Sequence, residues 1–205
     1  PKREKIERFC FFKNDKSIIS MQGVPYEMKA MVEDEVIPYL KNKYQLPFIF
    51  HRSILTAGVG ETQLADRLID FEKNKDSRIK LAYLPAVGKV RLRLTVKGEQ
   101  KQELENLINQ AKAEVVSCIG EYIYGYDEDV FEAKIGELLL SQNLKIGTAE
   151  SCTGGKIAAT LSAVPGSSNY FKRSVVSYAT QVKIDVLDID ENLIAKHGVV
   201  SAEVA

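Results

Sequence analysis

The sequence has few of the residue types that most often build metal sites and disulfide frameworks. It contains no tryptophan, two histidines and three cysteines in 205 residues, and 28 basic and 28 acidic side chains leave no net charge. The cysteines lie far apart without CxxC spacing, which disfavours a disulfide framework and indicates a reducing, cytoplasmic compartment. His51 and His197 fall in different predicted domains, so we expect no metal cluster.

The charge balance and the lack of a long apolar run argue against two classes of partner. A neutral chain gives no long-range attraction to nucleic acid or to an anionic membrane. The sequence also contains no signal peptide and no apolar run of the length that spans a bilayer. Basic residues alternate along one predicted strand (Arg91, Arg93 and Lys97), but acidic residues flank it, which favours a solvated face over a nucleic-acid site.

The order of apolar and polar segments predicts three regions in a mixed α/β and α+β chain. Hydrophobic residues make up 45% of the sequence, enough to bury cores for two domains or parts of three. Residues 1–46 predict two short strands, a Gly-Val-Pro turn and a helix over 27–40. Residues 47–126 predict a small β-α-β-β-α-β domain, and residues 127–205 open with a helix over 127–143.

The segment 144–183 carries the clearest pattern for a functional site. A short apolar strand meets a turn rich in serine, threonine and glycine, and residues 156–161 then have helix-forming composition. Such a helix start favours a phosphate or a carboxylate, and Gly154 and Gly155 allow close approach of a ligand. The alternative is an ordinary helix cap made by Ser151 or Thr153. The spacing does not match a P-loop.

Later in the chain, three residues are candidates for catalysis: Ser168, Tyr178 and Lys183. A serine hydroxyl becomes a nucleophile when a base removes its proton, and a lysine with a lowered pKa can be that base. A tyrosine between them could relay the proton or orient the lysine. The structural alternatives are a capped turn, an edge aromatic at the end of a strand over 174–178, and a solvated lysine. Cys152 is expected to be a small buried thiol.

Four motifs in the C-terminal region resemble one known family in order and spacing. AESCTGG, PGSS, VSYAT with its following lysine, and HGVVS lie at 149–155, 165–168, 176–180 and 197–201. Together they resemble the start of the C-terminal domain of the CinA family, the competence/damage-inducible proteins. That resemblance implies an α/β amidase domain that converts nicotinamide mononucleotide to nicotinate mononucleotide and ammonia. It implies Ser168 as nucleophile, activated by Tyr178 and Lys183, with substrate binding by Ser151, Thr153, Gly154 and Gly155.

The N-terminal region resembles the end of another domain of the same family. Gly23-Val24-Pro25 followed by Glu27-Met28 matches its GVP-x-E-M segment. The resemblance implies a molybdopterin-binding-like α/β domain over 1–46, a small middle domain over 47–126 and the start of the amidase domain over 127–205. It implies nucleotide pyrophosphate hydrolysis with a divalent metal for the N-terminal domain, and neither cofactor nor metal for the amidase. We also expect the chain to be cut at both ends and the fragment to be inactive.

Three interpretations of function remain open at this stage. The first is deamidation of a small-molecule nucleotide, which would recycle pyridine nucleotides in a cytoplasmic homodimer. The second is a nucleotide-sensing module that binds without turnover, and the third makes the N-terminal pyrophosphatase the main activity. Ser167 also remains an alternative to Ser168 as nucleophile.

Overall fold

The computed structural model describes residues 10–13, 16–21 and 23–205. The chain divides into two compact units. One comprises the described residues up to Phe50 together with Val96–Leu107, and the other comprises His51–Thr95 and Ile108–Ala205. Residues 1–9, 14, 15 and 22 of the first predicted region lie outside the described residues.

The first unit contains an antiparallel hairpin and a long helical segment. Strands β1 (Cys10–Lys13) and β2 (Lys16–Ile19) pair with Cys10 opposite Ile19. Helix α1 (Pro25–Met31) begins with proline, whose fixed φ suits the first helical turn. It continues through a π-helical turn (Val32–Val36) into α2 (Ile37–Lys43). Pro38 follows that turn and cannot donate a backbone hydrogen bond, which accounts for the local change of helix type.

A four-stranded sheet and three helices follow. They are β3 (Phe48–Ala57), α3 (Glu61–Arg67), α4 (Ile69–Asn74), β4 (Lys80–Ala86), β5 (Lys89–Gly98), α5 (Lys101–Ile119) and β6 (Ile123–Tyr126). The strand order is β4-β5-β3-β6. Because side chains alternate across a strand, β5 buries Val90, Leu92 and Leu94 and exposes Arg91 and Arg93. Apolar residues of the three helices are buried as well, among them Leu64, Phe71 and Ile108. The elements follow the predicted β-α-β-β-α-β order, except that two helices, α3 and α4, stand in place of the first predicted helix.

The C-terminal part of the second unit alternates helices with a two-stranded parallel sheet. It contains α6 (Phe131–Ser141), β7 (Ile146–Glu150), α7 (Lys156–Ser162), β8 (Phe171–Val176), α8 (Thr180–Leu187) and α9 (Glu191–His197). Strands β7 and β8 pair in parallel, with Glu150 opposite Val176. The helix that connects them packs on both strands, as parallel pairing requires a crossover.

Asp127, which precedes α6, and Phe131, which begins it, join the middle sheet to the C-terminal part. The Ser53 N–H donates to Asp127 Oδ1 over 2.8 Å, and the Asp127 N–H donates to the Ser53 carbonyl over 2.9 Å. The Phe131 ring packs edge-on to Tyr124 with centroids 4.9 Å apart. Lys89 Nζ lies 4.2 Å from the centroid of the same Phe131 ring. These contacts hold residues from both regions in one unit.

The fold is of mixed α/β class, as the sequence predicts. The three-part description and the limits 1–46, 47–126 and 127–205 remain predictions. Three details differ from expectation. The strand expected over 174–178 ends at Val176, and the helix expected over 127–143 begins at Phe131. The helix expected over 27–40 begins at Pro25, ends at Lys43 and contains a π-helical turn.

One glycine on α6 gives a test of the packing described here. An alanine Cβ at Gly136 would lie 2.7 Å from Cε1 and 2.9 Å from Oη of Tyr170, which is buried. Gly→Ala in a helix normally stabilises by about 1 kcal/mol. We expect Gly136→Ala instead to lower the free energy of unfolding by about 1–3 kcal/mol, because the buried ring has little room to move. Urea unfolding measures this change.

The neighbouring exposed position supplies the control. Glu137→Ala loses only an ion pair with Lys134 at 3.0 Å, so its effect should stay below about 1 kcal/mol. A Gly136→Ala chain as stable as the wild type, or more stable, would contradict the packing of Tyr170 against α6.

Candidate active site

The candidate site lies where the two parallel strands end. Strand β7 ends at Glu150 and β8 ends at Val176, its partner in the register. The chain leaves β7 through a tight turn into α7, and it leaves β8 through Ser177, Tyr178 and Ala179 into α8. The carboxyl ends of both strands and the turns that follow them therefore meet at one edge of the sheet.

Two glycines make the turn after β7 possible. Gly154 and Gly155 have φ angles of 58° and 90°, in the left-handed region that side chains disfavour. A Cβ at Gly155 would also approach Val176 Cγ2 to 3.2 Å. The turn is closed by the Gly154 N–H, which donates to the Ser151 carbonyl over 3.0 Å, and by the Lys156 N–H, which donates to the Thr153 carbonyl over 3.0 Å.

A buried carboxylate holds the start of α7. Glu150 is 2% exposed, and its Oε2 and Oε1 accept the backbone N–H groups of Ile157 and Ala158 over 3.0 and 2.8 Å. The helix end therefore binds the chain's own side chain. Burial raises the pKa of Glu150, but the backbone N–H of Ala158, the Thr153 hydroxyl, the Ile157 N–H and the Thr148 hydroxyl together hold it below its usual value.

Hydroxyl groups surround the other side of that carboxylate. The Thr148 hydroxyl donates to Ser174 Oγ over 2.8 Å and also lies 3.4 Å from Glu150 Oε1. The Ser174 hydroxyl in turn lies 3.5 Å from the same oxygen. The two strands are therefore tied by side chains as well as by their backbone bonds, and the carboxylate sits among donors.

The backbone carbonyl of Glu150 binds Ser177, which in turn contacts Lys183. The Glu150 carbonyl accepts the Ser177 N–H over 2.7 Å and the Ser177 hydroxyl over 3.2 Å. Ser177 Oγ accepts from Lys183 Nζ over 3.5 Å, and both side chains are buried. Among the described residues Lys183 is the one basic side chain that is buried, and no carboxylate there forms an ion pair with it.

The other predicted catalytic residues are exposed. Ser168 lies in the short 3-10 helix Ser167–Asn169 and is exposed. Tyr178 follows the end of β8 and is 75% exposed. No hydrogen bond joins Ser168, Tyr178 and Lys183 to one another, although the structure describes all three. The Ser167 hydroxyl donates to the Ser162 carbonyl over 3.2 Å, at the end of α7.

The structure corrects two expectations about the turn after β7. The N–H groups of Ile157 and Ala158 are not free for an external anion, and Glu150 rather than Ser151 or Thr153 accepts them. Cys152 is exposed rather than buried, because it projects from the turn. Among the predicted substrate-binding residues, Thr153 and Gly154 are exposed and Ser151 and Gly155 are half-buried. The Thr153 hydroxyl contributes to the lowered pKa of Glu150.

Sequence reasoning missed Glu150 and Ser177. A signal for Glu150 was present, since an acidic residue ended an apolar strand directly before a glycine-rich turn. Ser177 lies inside the VSYAT segment at 176–180, but that segment assigns it no role. Its role depends on how β8 places it beside β7.

The part of the chain that the structure describes offers neither a cluster of metal ligands nor a membrane-spanning helix. It holds no group of three or more histidine, cysteine, aspartate or glutamate side chains placed to bind a metal ion. None of its helices combines the length and the apolar character that crossing a bilayer requires.

The fold and site define a mixed α/β protein whose C-terminal part presents serine hydroxyls and a buried lysine beside a parallel strand pair. Two family models match this chain. The CinA C-terminal domain matches residues 128–205, and the KH domain of damage-inducible protein CinA matches residues 51–125. The chain belongs to the CinA family.

Individual relatives agree with that assignment. A CinA-like protein from Flavobacterium psychrophilum is 51% identical over 194 residues, which cover 94% of this chain and 46% of that protein. A putative competence-damage inducible protein from Halothermothrix orenii is 42% identical over 193 residues, with the same two coverages of 94% and 46%. The chain thus spans less than half the length of these relatives.

Solved structures of the same superfamily are also similar over part of the chain. The competence/damage inducible protein CihA from Agrobacterium tumefaciens is 35% identical over 36% of this chain and 45% of that chain, with a TM-score of 0.35. A competence-damaged protein (CinA) superfamily protein from Escherichia coli is 30% identical over 36% of this chain and 43% of that chain, with a TM-score of 0.36.

The lowered pKa of Glu150 predicts a pH-dependent stability. A carboxylate with a lower pKa in the folded than in the unfolded chain stabilises the fold above its unfolded pKa, and this contribution is lost as the pH falls through the folded pKa. Glu150→Gln has one oxygen for two N–H donors, so we expect a lower urea midpoint at pH 7. The difference from wild type should shrink below about pH 4.

An exposed carboxylate at another helix start is the matched control. Glu191 opens α9 and is exposed, so Glu191→Gln should shift the urea midpoint little at any pH. A gap between wild type and Glu150→Gln that stays constant from pH 7 to pH 3 would show that the charge of Glu150 does not support α7.

Proposed function

We propose that the C-terminal part of this protein is an amidohydrolase that converts nicotinamide mononucleotide to nicotinate mononucleotide and ammonia. The proposal rests on membership of the CinA family and on one observation, the burial of Lys183 beside a hydroxyl and without an ion pair among the described residues. Lysine is almost never buried without a partner. Keeping it there is costly for the fold, which supports a chemical role.

The proposed chemistry assigns one step to each of three side chains. The Ser168 hydroxyl attacks the carboxamide carbon, and ammonia leaves from the tetrahedral intermediate. Water then hydrolyses the acyl-enzyme ester and releases nicotinate mononucleotide. Lys183, in its neutral form, accepts the serine proton and returns it to the leaving amine, with Tyr178 as relay or orienting group. Bringing Ser168 and Lys183 into contact is part of the proposal.

The surroundings of the two adjacent serines support Ser168 as the nucleophile. The Ser167 hydroxyl already donates to a backbone carbonyl at the end of α7. Ser168 is exposed, and the structure gives its hydroxyl no hydrogen bond to any described residue. A nucleophile has to be accessible and free to lose its proton. Ser168 meets that requirement better than its neighbour.

The proposed substrate pocket uses the turn after β7. Ser151, Thr153, Gly154 and Gly155 would line it, and the Thr153 hydroxyl also helps to lower the pKa of Glu150. The substrate phosphate would bind away from the first N–H groups of α7, since Glu150 accepts them. The proposal also includes no cofactor for this reaction, a role in pyridine nucleotide recycling, and a cytoplasmic homodimer.

A nucleotide-binding module without turnover is the second candidate. The observation that favours it is the lack of a hydrogen bond between Ser168 and Lys183, both of which the structure describes. In that case the turn after β7 would hold the nucleotide while the two side chains stayed apart. Binding of nicotinamide mononucleotide without ammonia release would support this candidate.

Ammonia release from nicotinamide mononucleotide tests the proposed function. We expect turnover by the protein with its natural ends and a kcat lower by about 10³-fold or more in Ser168→Ala. Ser167→Ala is the matched control and should leave kcat nearly unchanged, because it removes only an exposed hydroxyl–carbonyl bond. Assaying this chain of 205 residues beside the natural form shows which part of the protein the site needs.

Calorimetry with the same nucleotide separates the two candidates. Turnover by wild type with retained binding by Ser168→Ala supports the amidohydrolase. Binding by both proteins with turnover by neither supports the binding module. Equal turnover by wild type and Ser168→Ala would remove Ser168 from the mechanism.

A further inference from the structure

Ser177 is the residue in direct contact with Lys183, and neither the motifs nor the proposed chemistry assigns it a role. Its hydroxyl has one proton, which is directed to the Glu150 carbonyl over 3.2 Å. The oxygen therefore presents its lone pairs elsewhere, and Lys183 Nζ donates to it over 3.5 Å. Lys183 therefore donates to Ser177, and Ser177 donates to the Glu150 carbonyl.

The position of Ser177 is fixed more firmly than that of a typical surface serine. Its backbone N–H also donates to the Glu150 carbonyl, over 2.7 Å, and its side chain is 2% exposed. Glu150 is itself held at the end of β7 by the register with β8 and by the first turn of α7. Ser177 Oγ, the acceptor for Lys183, is therefore held in place through Glu150 by β7, β8 and α7.

Lys183 in turn depends on this acceptor. Its side chain is buried, and Ser177 Oγ is the one hydrogen-bond acceptor of its Nζ among the residues that the structure describes. A lysine side chain has several rotatable bonds, and a hydrogen bond to a fixed oxygen selects among its rotamers. Ser177 accepts from one position on the nitrogen, which leaves the others for a reacting group.

We propose that Ser177 is a positioning residue, which orients the Lys183 amine toward the nucleophile through the hydrogen bond it accepts. The inference rests on the proposed function, because positioning of the amine by Ser177 matters only if Lys183 takes part in that reaction. Ser177 forms no bond to the substrate in this proposal. Its own proton stays on the Glu150 carbonyl throughout the reaction.

A double-mutant cycle on turnover tests this role. Ser177→Ala keeps the backbone bond to Glu150 and removes only the hydroxyl. In the protein with its natural ends, we expect kcat for nicotinamide mononucleotide to fall by about 10- to 100-fold while KM stays close to that of wild type. In a Lys183→Met background the same substitution should change the residual rate by less than about 2-fold, since its target is gone.

Ser53→Ala is the matched control. Ser53 is also a buried serine, lies on β3 and should leave both kcat and KM unchanged. If loss of a buried serine hydroxyl acted only by destabilising the fold, Ser53→Ala would also lose activity, because less of the protein would be active. A positioning role instead lowers kcat per active site in Ser177→Ala. Equal losses from Ser177→Ala in the wild-type and Lys183→Met backgrounds would overturn the proposal.

Unfolding measurements keep the inference testable if the proposed reaction fails. Urea midpoints of wild type, Ser177→Ala, Lys183→Met and the double variant show whether the two side chains interact in the folded protein. If the effects of the two substitutions on the urea midpoint are not additive, the contact between Ser177 and Lys183 exists in the folded protein. If wild type then releases no ammonia, both the amidohydrolase and the positioning role are overturned. Turnover by wild type with additive midpoints and additive rates would retain the enzyme and overturn the role of Ser177.

Discussion

The buried Glu150 side chain and its own backbone carbonyl hold the C-terminal site together. The two carboxylate oxygens accept the first free N–H groups of α7, and the carbonyl accepts both donors of Ser177. One residue therefore fixes the helix after β7 and the turn after β8. A buried carboxylate is stable only when donors surround it. The Ser174 hydroxyl, 3.5 Å from Glu150 Oε1, is a further donor to that carboxylate.

This arrangement explains how a lysine can be buried at the edge of so small a sheet. Helix α8 begins three residues after Ser177, so Lys183 lies within its first turns and its side chain reaches back to the end of β8. Burial removes water from the amine, and the structure supplies one acceptor in its place. A hydrophobic side chain would fill that volume at lower cost. That cost is in keeping with the role in the reaction that we propose for Lys183.

Local sequence patterns predicted the elements well and the contacts between them poorly. The alternation of Val90, Arg91, Leu92 and Arg93 follows from the period of a strand, and the glycine-rich turn with its following helix was visible in composition. Glu150 reaches N–H groups seven and eight residues further along the chain. Ser177 depends on pairing with a strand more than twenty residues away. Neither contact has a signature in local spacing.

The occupied start of α7 also constrains how a nucleotide could lie in the site. Two N–H groups that would otherwise attract a phosphate are bound to a carboxylate whose lowered pKa keeps it ionised near neutral pH. A phosphate brought to the same place would meet a like charge. The carboxamide is neutral and meets no such repulsion near Glu150 and Lys183. Under the proposed reaction, this difference orients the substrate with its amide toward the lysine and its phosphate away from the helix.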